Sequence, residues 1–111
     1  MIINNDTLIM TRGDTESISV QDPAGPLESG DTVLFTVRID PTDPVARIGK
    51  TVTEFTDGAA AVSLSSGDTV GLYPGIYLYD IRVYKAAGAV RTLRKGALVI
   101  EAEISRPEDG E

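Results

Sequence analysis

The chain has 111 residues, 41% hydrophobic and 24% charged, a composition that suits one globular domain rather than a disordered segment. It contains neither cysteine nor histidine, which excludes disulfides, thiolate chemistry, the usual base near neutral pH and the commonest metal ligand. Its net charge of -7 repels phosphates, so nucleic acid and anionic membranes are poor partners.

Residues 1–105 read as a single domain and residues 106–111 as a polar, frayed tail. No apolar run approaches the ~20 residues of a membrane span. The opening Met1-Ile-Ile-Asn-Asn-Asp6 lacks the basic and long apolar regions of a signal peptide, so synthesis in a bacterial cytoplasm is expected.

Taken in order, residues 7–12 read as a first short strand, and Gly13-Asp14 as a turn. Residues 15–20 alternate again, with Ile18 and Val20 on one face. Residues 21–30 hold two prolines and two glycines and read as loop. Residues 32–40 form a strong strand whose Val33, Phe35, Val37 and Ile39 share a face. Asp40-Pro-Thr-Asp-Pro44 ends it, because proline cannot donate to a ladder. Residues 47–55 read as a strand with Ile48 and Val52 inward, followed by a hairpin-type turn at Thr56-Asp-Gly58. Residues 59–64 make another strand, anchored by Val62 and Leu64. Residues 65–72 read as one helical turn started by Ser65 or Ser66.

Pro74-Gly75 then turns the chain into the strand around which the domain is organised, Ile76 to Tyr84. Tyr77, Tyr79, Ile81 and Val83 occupy one face of it; Leu78, Asp80 and Arg82 occupy the other. Residues 85–88 form a hairpin loop, 89–94 return antiparallel, Gly96 marks a bulge, and 97–104 form the last strand. There Leu98, Ile100, Ala102 and Ile104 face one way. Seven to eight short strands with closely spaced turns predict an all-β antiparallel sandwich. Its core is expected from Val33, Phe35, Val37, Val62, Leu64, Tyr77, Tyr79, Ile81, Val83, Leu98 and Ile100.

Few motifs point to chemistry. Gly-Asp-Thr recurs at 13–15, 30–32 and 67–69 and reads as turns, since three separated carboxylates do not supply the six to eight oxygens of a calcium site. Arg12-Gly13-Asp14 spells an adhesion tripeptide, but three residues in a turn are too cheap a match, and Asn5-Asp6-Thr7 fits a glycosylation pattern that carries no weight without a secretion signal. Tyr73 and Tyr84 sit at strand ends, where exposure is expected. A nucleophile elbow, a phosphate loop and a dinucleotide fingerprint are all absent, so no enzyme activity, catalytic residue, metal site or cofactor is expected.

Two resemblances carry further. Leu72-Tyr-Pro-Gly-Ile-Tyr-Leu-Tyr79 resembles the entry to strand F of immunoglobulin-like domains. This implies that Tyr77 is a corner tyrosine bonded to backbone in residues 68–73. Tyr79 takes the usual cysteine position, and the absence of cysteine and tryptophan sets the chain apart from antibody-type domains.

The second resemblance rests on the order Thr-Arg-Gly-Asp-Thr (11–15), Gly-Asp-Thr-Val-Leu-Phe-Thr-Val-Arg (30–38), Lys50, Gly-Ile-Tyr-Leu-Tyr-Asp-Ile-Arg-Val-Tyr (75–84), Gly88, Val-Arg-Thr-Leu (90–93) and Gly-Ala-Leu-Val-Ile (96–100). It is similar to small β-sandwich structural proteins of phages and prophages of Gram-positive bacteria, and to the N-terminal domain of siphophage upper baseplate proteins. The resemblance implies a non-enzymatic structural or assembly role in a tail or baseplate. Partners would be protein, either further copies of the chain or a neighbouring tail subunit, and the final location a virion. Sheet edges and the two Pro-rich loops, 22–27 and 40–45, are the expected docking elements. The alternative is a free ligand-binding module such as a carbohydrate-binding sandwich, against which the lack of tryptophan weighs.

Overall fold

The computed structural model describes residues 1–110. In chain order its strands are β1 (Ile2–Asn4), β2 (Thr7–Thr11), β3 (Glu16–Val20), β4 (Thr32–Arg38), β5 (Ile48–Val52), β6 (Ala60–Leu64), β7 (Gly75–Tyr84) and β8 (Val90–Glu101). One short helix, α1 (Ser66–Val70), lies between β6 and β7. Six strands form one sheet in the order β1-β2-β8-β7-β4-β5, and β3 pairs with β6 in a second sheet. β3 and β6 thus take the places of strands B and E of an immunoglobulin-like sandwich, and β4, β7 and β8 those of C, F and G.

Strand alternation fixes what each sheet buries. Every second residue of β4 and β7 is dry, and the same holds for β3 and β6. Inward side chains of both sheets merge into one cluster. All eleven expected core residues belong to it, joined by Leu8, Met10, Ile18, Val20, Leu27, Ile48 and Ala60. Phe35 is fully buried and tilts against Tyr79, ring centroids 5.8 Å apart. The corner tyrosine is in place: Tyr77 Oη donates to the Tyr73 carbonyl at 2.7 Å.

Several expectations need correction. β1 stands where no strand was expected; it folds back on β2 through Asn5, whose φ of 54° is tolerated by asparagine better than by most residues. β2 joins β8 in parallel, whereas the other five ladders are antiparallel. β4 stops at Arg38, two residues early, and leaves Ile39 half-exposed. The cause is local: Asp43 Oδ2 accepts the Ile39 amide at 3.1 Å and Asp40 Oδ1 accepts the Thr42 amide at 2.8 Å, which draws the backbone out of the ladder. The turn at 56–59 is real, with Asp57 and Gly58 both at positive φ, but its flanks enter different sheets, so it joins no hairpin.

β8 is one continuous strand where two were expected, and Ala102 and Ile104 lie beyond its end, Ile104 almost wholly exposed. The irregularity falls at Leu93, the extra residue between the Arg82–Thr92 and Ile81–Arg94 pairs, and not at Gly96. Gly96 serves a different need: a Cβ there would lie 2.4 Å from the Asp6 carbonyl oxygen, where the β1–β2 turn crosses the sheet. The polar tail contains a 3₁₀ turn, Pro107–Gly110, held as Asp109 Oδ2 accepts the Arg106 amide at 2.9 Å; Glu111 lies outside the described residues.

Candidate interaction surface

The residues that alternate with the core form the outer face of the six-stranded sheet. Register places four apolar side chains in one row across it: Ile2 pairs with Ile9, Ile9 with Val99, and Val99 with Ile76. Ile76 is 71% exposed and Ile2 63%. The row below continues through Ala97, Leu78 and Arg38, and the next through Lys95, Asp80 and Thr36. An apolar row is ordinary inside a sandwich and unusual on its outside, where polar residues normally alternate with the core.

Charge is distributed unevenly over this surface. Six bases are spent on internal ion pairs: Arg12 with Glu103, Arg47 with Asp43, Lys50 with Asp68, Lys85 with Asp31, Arg91 with Asp22 and Arg94 with Asp6. Among the described residues Arg38, Arg82, Lys95 and Arg106 are in no ion pair, and the first three stand on the outer face of β4, β7 and β8. Arg82 lies over the Tyr84 ring, its guanidinium carbon 5.5 Å from the centroid, yet its buried Nε has no hydrogen-bond partner. Arg38 Nη1 donates to the Asp43 carbonyl at 3.2 Å, which draws the 40–45 loop against the sheet. Between that loop and β8 lies an open groove of about 520 Å³, lined by Arg38, Pro41, Leu78, Asp80 and Lys95.

The paired acids hold the body of the domain together. Asp31 is buried, and Lys85 Nζ at 2.7 Å, the Glu28 amide at 2.9 Å and the Ala86 amide at 2.9 Å all donate to it. The Lys85 contact and these two amides hold its carboxyl down to about 2. Burial alone would push the Asp22 carboxyl up, but the Ala24 amide and Arg91 outweigh it and keep it below the ordinary value. The 22–27 loop is therefore built into the domain: Asp22 is pinned by Arg91, and Leu27 is buried in the core. Only the second Pro-rich loop, 40–45, borders the outer face.

The motifs of the sequence fall as follows. Arg12 is turned inward on its own chain, with Nη2 2.6 Å from Glu103 Oε1 and Nη1 3.2 Å from the Leu72 carbonyl, so Arg12-Gly13-Asp14 is not displayed as a unit. Gly13 and Gly30 take positive φ as turn residues, but Gly67 lies inside α1, and the third Gly-Asp-Thr is helical. Its Asp68 accepts the Ser65 amide at 2.7 Å at the helix start, and its Thr69 Oγ1 accepts the Gly13 amide at 2.8 Å, tying the first motif to the third. Tyr73 is exposed and Tyr84 borders on exposure, at opposite ends of β7. Among the described residues no group of three or more His, Cys, Asp or Glu converges to hold a metal ion, and no helix is long and apolar enough to cross a membrane.

Sequence reasoning had placed Leu78, Asp80 and Arg82 on the wet face of β7, but not the apolar row. That row depends on β1, on the parallel β2–β8 pairing and on register, none of which periodicity within a strand reveals. A comparison with protein-family models finds no match, and neither does a comparison with curated proteins.

Proposed function

We propose that this protein is a non-enzymatic structural or assembly module of a phage or prophage particle, in the tail or baseplate, working by protein–protein association. The observation that carries the association is the apolar row Ile2–Ile9–Val99–Ile76 on the outer face of the larger sheet, exposed at Ile2 and Ile76 and half-buried at Ile9 and Val99. Contiguous exposed apolar surface is one of the marks of a protein–protein interaction site. The assignment to a particle rests on the resemblance to siphophage upper baseplate domains, whose motif order runs from Thr11 to Ile100. The acidic remainder of the surface keeps a subunit soluble before assembly.

The carbohydrate-binding alternative finds less support. Tyr73 lies just before β7 and Tyr84 is its last residue, which separates them by roughly 30 Å, so they make no shared stacking platform. The test is to induce the prophage in the encoding bacterium, purify particles on a density gradient and identify their proteins by mass spectrometry. The chain is expected in stoichiometric amounts with tail proteins. Its absence from intact particles, with the protein remaining in the cell lysate, would overturn the assignment.

A further inference from the structure

We infer that the outer face of the six-stranded sheet, β1-β2-β8-β7-β4-β5, is the docking surface for a second copy of this chain. The inference deepens the assembly reading above and rests on it. Charge selects the occupant. The outward positions of these strands carry Arg38, Arg82 and Lys95 against Asp80 and Glu101, so the face is slightly positive. The acidic excess of the chain, net -7, therefore lies entirely elsewhere. Two identical acidic bodies repel one another least when this face meets itself, and it is also where the apolar row lies.

The charged groups are suited to a like face. Asp80 is in no ion pair among the described residues, and neither are Arg38, Arg82 and Lys95 on the same sheet face. A face holding unpaired groups of both signs can satisfy each with the opposite group of its copy. Area is sufficient for a modest interface. Six strands span about 24 Å across and roughly 20 Å along, so the face offers on the order of 500 Å² in projection before side-chain relief is counted, against about 800 Å² per partner in a standard interface. A face of that size sits at the low end of interface areas, where weak and transient complexes are found.

The test is sedimentation velocity of the full chain from about 10 μM to about 1 mM, a range set by that low-end interface. It compares the parent with Ile76→Asp and Val70→Asp. Both replaced side chains are more than half exposed, so both variants keep the core, and Val70 lies on α1, outside the six-stranded sheet. The parent is expected to dimerise, Val70→Asp to match it, and Ile76→Asp to weaken the dimer by at least about tenfold through a buried unpaired charge. A dimer that Ile76→Asp leaves intact overturns the choice of face while self-association stands. A parent that stays monomeric throughout overturns the second copy as occupant and assigns the face to a different subunit, and the particle experiment separately decides the assembly reading.

Discussion

Replacing Gly96 by alanine probes the joint between the first hairpin and the sheet. A Cβ at residue 96 would lie 2.4 Å from the Asp6 carbonyl oxygen and 3.1 Å from both its carbonyl carbon and its Cβ. The first neighbour is backbone, so the β1–β2 turn must move. That same oxygen accepts the Tyr79 hydroxyl at 2.5 Å, and Tyr79 is buried. Forcing an extra methyl into a packed site costs about 1–3 kcal/mol. Losing the hydroxyl bond adds about 0.5–1.5 kcal/mol. Gly96→Ala should therefore destabilise by roughly 1.5–4.5 kcal/mol, a large share of the roughly 5–15 kcal/mol typical of a domain. Urea unfolding followed by far-UV circular dichroism measures it. Tyr79→Phe supplies the control: alone it should cost about 0.5–1.5 kcal/mol, and in the Gly96→Ala background close to nothing, because the bond is already broken. If Gly96→Ala unfolds with the parent, or the two losses simply add, the close approach of Asp6 is not what requires glycine.

Phe35→Ala should cost about 3–5 kcal/mol, since the ring is wholly buried between the sheets; thermal melting checks it, and an unchanged midpoint would remove Phe35 from the core. Tyr77→Phe removes the donor to the Tyr73 carbonyl and should cost about 0.5–1.5 kcal/mol by urea titration, with no loss meaning that the corner bond contributes nothing. Acid should weaken the fold in a defined window. The Asp31 carboxyl titrates lower in the folded chain than in the unfolded one, so its contribution is present above the ordinary carboxylate value, near 4, and disappears as pH falls toward about 2. Melting temperature measured across pH 2–7 (a range of about five units) should fall in that window, and the gap between the parent and Asp31→Asn should close there.

Much of the fold was legible because strand alternation is a one-dimensional signal. Val33, Phe35 and Val37, and Tyr77, Tyr79, Ile81 and Val83, declare their buried face without reference to any other strand, and all are buried. What was not legible depends on pairing. Ile2 and Ile3 form too short an apolar run to read as a strand until β2 lies beside them. Gly96 looked like a bulge because a glycine in a strand signals either a bulge or a close approach, and only the position of Asp6 decides between them. The early end of β4 follows from Asp40 and Asp43 taking up backbone amides, a competition the prolines foreshadowed only in outline. The interaction surface was the least legible part. Ile9, Ile76 and Val99 lie on three strands and become one row only through a register that joins β2 to β8 in parallel.

The outer face can be watched directly through its methyl groups. In a concentration series of ¹³C-methyl NMR spectra, Ile2, Ile9, Ile76, Leu78 and Val99 should shift as the protein is concentrated, while Ile18, Val62 and Leu64 of the smaller sheet stay fixed. Shifts confined to the smaller sheet, or none at any concentration, would contradict docking of a second copy on the larger sheet.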